Sequence, residues 1–98
     1  MTAVVARSRD RKRVVVRVRA KLQTIDKVVE DLVGVLDQAC MLSAVRCERH
    51  GPARGFNGVV AYLAPNLVGV HDVHDAIDRV IGHVEELLRA RGYEVEIE

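Results

Sequence analysis

The 98 residues predict an α+β sandwich, strand-helix-strand-strand-helix-strand in order, and three observations predict it. Residues 13–20 and 93–98 alternate in character with a period of two, as half-buried strands do. Residues 24–39 and 72–91 instead repeat apolar side chains at three- and four-residue spacing, the stripe of an amphipathic helix. Between the helices, two apolar runs, 40–49 and 56–64, flank the Gly- and Pro-bearing stretch 50–55 and imply a hairpin. A chain of this length builds one core and buries roughly two-thirds of its unfolded surface.

Residues 1–12 end in Arg7-Ser8-Arg9-Asp10-Arg11-Lys12 and hold no sustained period. They read as a mobile basic arm ahead of a single domain, 13–98, although Thr2 to Ala6 has the composition of an extra edge strand. In the first strand Val14, Val16, Val18 and Ala20 form the apolar face, opposite Arg13, Val15, Arg17 and Arg19. Thr24 is the expected cap of the first helix, with Asp26 suited to its positive end. Gly34 inside that helix suggests a close contact. Pro65 and Asn66 end the third strand. His71 or Asp72 opens the second helix, and Gly92 closes it after Arg89 and Arg91. Right-handed crossovers that keep both helices on one face give the ferredoxin-like βαββαβ arrangement, a four-stranded antiparallel sheet of order 4-1-3-2.

Charge is unevenly spread. Residues 1–21 carry eight Lys or Arg against one Asp, and residues 22–98 carry seven against thirteen acids. In the predicted order the last strand lies beside the first, so Arg13, Arg17 and Arg19 meet Glu94, Glu96 and Glu98 on the outer sheet face. That pairing leaves Arg7, Arg9, Arg11, Lys12 and Arg13 at the N-terminal end as a candidate nucleic-acid-binding set.

Residues 54–62, Arg-Gly-Phe-Asn-Gly-Val-Val-Ala-Tyr, resemble in part the strand signature of RNA recognition motifs. The resemblance covers only these nine residues. Gly58 stands where that family stacks an aromatic ring, and the first strand has no aromatic residue.

The third strand is apolar on both faces. Met41, Val45, Phe56, Val60 and Tyr62 are therefore the expected interface of a homo-oligomer, or of a protein partner, on the outer sheet face. Arg49, His50 and Arg54 surround the glycine-bearing turn as a candidate site for an anionic small ligand. Sensory proteins of the PII and ACT kinds, which resemble this chain in order of elements only, bind small molecules at such loops or at subunit interfaces. His71, His74 and Asp78 are the residues to which a metal reading points.

The sequence contains no nucleophile elbow, phosphate-binding loop or paired zinc-protease histidines, so a non-enzymatic binding or assembly module that self-associates through its sheet is the first expectation. A nucleic-acid-binding protein and a metal-binding protein are the alternatives; no cofactor is expected. Cys40 and Cys47 are expected as reduced thiols on opposite strand faces, and the absence of a run of about 20 apolar residues points to the cytoplasm.

Overall fold

The computed structural model describes residues 1–38, 42–51 and 57–98. Among these residues, five strands and two α-helices follow in the order β1 (Thr2–Arg7), β2 (Val14–Arg19), α1 (Ile25–Gln38), β3 (Leu42–His50), β4 (Gly58–Pro65), α2 (Val73–Ala90) and β5 (Glu94–Ile97). They form a mixed sheet of order β3-β4-β2-β1-β5, with both helices packed on one face.

The four-stranded order needs one correction. The stretch expected as an arm supplies β1, which lies inside the sheet: antiparallel to β2 on one side and parallel to β5 on the other. Two properties explain it. Ala3 and Val5 are small, apolar and two apart, and both are fully buried under the helices. The connection to β2 is also a short local hairpin, whose closure costs less entropy than pairing β2 with a strand some seventy residues away. Without β1, the remaining strands keep the expected neighbours, β3-β4-β2-β5.

Inward residues of alternate strand positions make the core. Val14, Val16 and Val18 of β2 and Val59, Ala61 and Leu63 of β4 meet Val28, Leu32 and Val35 of α1 and Ile77, Val80, Val84 and Leu88 of α2. Asp72 caps α2 by accepting the Asp75 N–H at 3.1 Å. Thr24 does not cap α1 in the expected way. It ends a 3-10 turn, Leu22–Thr24, and its Oγ1 donates to the Lys21 carbonyl at 2.9 Å.

Gly34 faces Arg91, whose guanidinium lies 2.8 Å from where a Cβ would stand. Gly58 is more constrained. A Cβ there would sit 2.0 Å from the Val18 carbonyl oxygen, so the approach of β2 to β4 requires glycine. The same contact explains why no aromatic residue occupies this position.

Candidate functional site

The turn between β1 and β2 is built from Ser8 and Asp10. Ser8 N–H donates to the Arg13 carbonyl at 3.0 Å, and Arg11 N–H donates to the Ser8 carbonyl at 3.0 Å. The Asp10 carboxylate accepts from the Ser8 hydroxyl and from Lys12 N–H at 3.0 Å, while Ser8 Oγ accepts from Arg13 N–H at 3.1 Å. Arg11 takes the left-handed conformation, φ 59°, that lets so tight a turn close. The Ser8 hydrogen bond, then that from Lys12, hold the Asp10 carboxyl below its ordinary pKa; the charges of Arg13 and Lys12 assist.

The N–H groups of Ser8, Arg11, Lys12 and Arg13 are thus bonded within the turn, and its cationic side chains are left outside. Arg9, Arg11, Lys12 and Arg13 are all exposed. Among the described residues none of the four has a carboxylate at ion-pair distance. Arg7, the fifth cation expected here, pairs with Asp78 of α2. Elsewhere, cations are largely matched: Arg49 with Asp26, Arg79 with Asp75, Arg89 with Glu85. The hairpin tip is where positive charge accumulates.

From the tip the charge runs onto the outer sheet face. Register places Arg46, Tyr62, Val15 and Ala6 in one row across β3, β4, β2 and β1. The next row is Glu48, Val60, Arg17, Val4 and Glu96. A depression of about 430 Å³ lies between tip and sheet, with Arg9, Arg13, Arg17, Arg46 and Tyr62 in its wall. The Arg46 guanidinium stands over the Tyr62 ring, 4.8 Å from its centroid. Two carboxylates share this surface: Glu48 contacts Arg46 at 3.2 Å, and Glu98 pairs with Arg17 across β1.

Arg13, Arg17 and Arg19 do not stand directly beside Glu94, Glu96 and Glu98, as expected, because β1 separates β2 from β5. Between the arginine and glutamate rows is a trough of about 620 Å³, floored by Thr2 and Val4. Its walls have opposite sign, which suits a polyanion less than the tip does.

The other expected residues that are described lie on different faces of the sheet. Val60 and Tyr62 belong to the outer face, whereas Val45 packs against the core on the helix side. Met41, Phe56 and Arg54 lie outside the described residues, as does Cys40. Cys47 is free and half-buried, and burial pushes its thiol pKa up. Arg49 and His50 leave opposite faces of β3, because the strand continues through both: Arg49 reaches Asp26 of α1 at 2.8 Å, and His50 Nε2 meets Glu48 at 3.1 Å. They do not converge on one ligand.

His71 and His74 are exposed near the start of α2, while Asp78 engages Arg7. Among the described residues no three His, Cys, Asp or Glu side chains gather to hold a metal ion, and no helix is long and apolar enough to cross a membrane.

Sequence reasoning grouped the hairpin cations but did not place Arg17 and Arg46 beside them. Alternation within 42–50 was the available signal for Arg46, since it puts that residue on the face opposite Val45 and Cys47. No family model, curated protein or solved structure matches this chain.

Proposed function

We propose that this protein is a nucleic-acid-binding module that grips phosphates with the β1–β2 hairpin. The observation that supports the reading is the concentration of Arg9, Arg11, Lys12 and Arg13 on an ordered turn, with only Asp10 against them and that carboxylate engaged within the turn. A fixed backbone spares the ordering cost that a loose arm would meet on binding, and each phosphate neutralised releases condensed counterions. The expected result is binding to mixed-sequence nucleic acid that weakens with salt, log affinity falling against log salt with a slope of roughly −3 for four contacts on a single strand. Absence of binding at low salt rejects the reading.

A second reading, self-association through the outer sheet face, is favoured by one observation: Val4, Ala6, Val15, Tyr62 and Ala64 form a band that neither helix covers. All five are only partly buried, and the outer residues of β3 beside them include Arg46, Glu48 and His50. Light scattering tests it, and a monomer at micromolar concentration excludes it.

A further inference from the structure

Resting on the nucleic-acid reading above, we infer that the ligand is single-stranded, with unpaired bases lying on the Arg46–Tyr62 pair while the hairpin holds their phosphates. The two parts of such a site adjoin. Arg9 and Arg13 at the hairpin base and Arg17, Arg46 and Tyr62 on the sheet border the same depression. A strand leaving the hairpin cations therefore passes directly onto a planar cationic and aromatic surface.

That surface is set by strand register. Arg46 and Tyr62 are direct cross-strand partners on β3 and β4, and β4 is held on its other side by β2. Guanidinium planes and aromatic rings both receive the face of an unstacked base. A duplex, whose bases face inward, offers this surface only its backbone, so it would use the hairpin but not the pair.

The two carboxylates define the chemistry further. Glu98 occupies Arg17, and Glu48 contacts Arg46. Both ion pairs are open to solvent, so an arriving phosphate competes with each carboxylate for its guanidinium. Removing the charge of Glu98 should strengthen binding, an effect opposite in sign to that of removing any cation.

The test uses the full chain and fluorescence anisotropy at one low salt concentration. The probes are a labelled mixed-sequence single strand of about twelve nucleotides, the duplex of the same sequence, and an abasic strand of equal length; a base stack of ordinary strength predicts that the single strand binds at least about fivefold more tightly than either. Tyr62→Leu should lower single-strand affinity about five- to tenfold and leave duplex affinity unchanged. Arg46→Lys keeps the charge but removes the plane, so it should weaken the single strand with its salt slope preserved. Glu98→Gln should raise affinity. Thermal melting of each variant establishes that it is folded, and the abasic probe tests stacking on the unaltered protein.

Equal binding of normal and abasic strands, or duplex binding as tight as single-strand binding, overturns the inference and leaves the hairpin reading standing. Failure to bind all three probes overturns both.

Discussion

Gly58 carries the sharpest steric demand in the sheet. Its hydrogen faces the Val18 carbonyl of β2, at a distance no methyl group could share. Gly58→Ala should therefore push β4 away from β2 and destabilise the fold by about 1–3 kcal/mol or more, read as a lower urea midpoint. Tyr93 is a second such residue. Its buried hydroxyl donates to Asp31 of α1 at 2.8 Å, tying the segment between α2 and β5 to the other helix. Burial first, then the hydrogen bond to Asp31 and the charge of that carboxylate, push the phenol well above its ordinary 10.0, against a smaller opposing effect of Arg91. The folded protein thus retains a proton that the unfolded chain surrenders. The stability this supplies is complete below pH 10.0 and is lost as pH rises above it. Melting temperature should fall in that alkaline range, and Tyr93→Phe should flatten the fall while costing about 1 kcal/mol at neutral pH for the lost hydrogen bond.

At the scale of elements, the hairpin depends on Ser8 and Asp10. Because the Asp10 carboxyl is held below its ordinary 3.8, its contribution to the turn is present above that value and is lost as pH falls below it. Amide exchange at Lys12 and Arg13 should accelerate in that acid range, and Asp10→Ala should produce the same acceleration at neutral pH. The helices are held more strongly, by apolar burial against the sheet. Leu88 is fully buried, and Leu88→Ala should cost about 2–5 kcal/mol in chemical denaturation. Both helices, β2 and β5 were legible because each carries a period of 3.6 or two, and β3 and β4 because two apolar runs flank a Gly- and Pro-bearing stretch. β1 was harder to place. Its six residues alternate Thr2, Val4 and Ala6 with Ala3, Val5 and Arg7, a weak contrast in polarity, and the arginines after it suggested an arm. Its position between β2 and β5 depends on which strand edges remain open, which no local pattern records.

For the whole molecule, the helix layer and its core occupy one side of the sheet, and the outer sheet face has its own charge pattern. On that face positive groups gather at the hairpin and along β2, negative ones along β5. The hairpin half of the candidate site was legible because its cations are contiguous in sequence. The sheet half was not: Arg46 and Tyr62 are sixteen residues apart and meet only through the β3–β4 register. Of the anionic-ligand set around residue 50, Arg54 lies outside the described residues, and Arg49 and His50 diverge because neighbours along a strand point to opposite faces.

The central claim, that the hairpin cations bind nucleic acid, is tested most directly by a salt titration of single-strand binding. The wild-type chain is compared with one carrying Arg9→Gln, Lys12→Gln and Arg13→Gln. The account predicts a log-log slope of roughly −3 for the wild type, reduced by about 2 in the variant, with weaker binding at every salt concentration. An unchanged slope and affinity in the folded variant would contradict it.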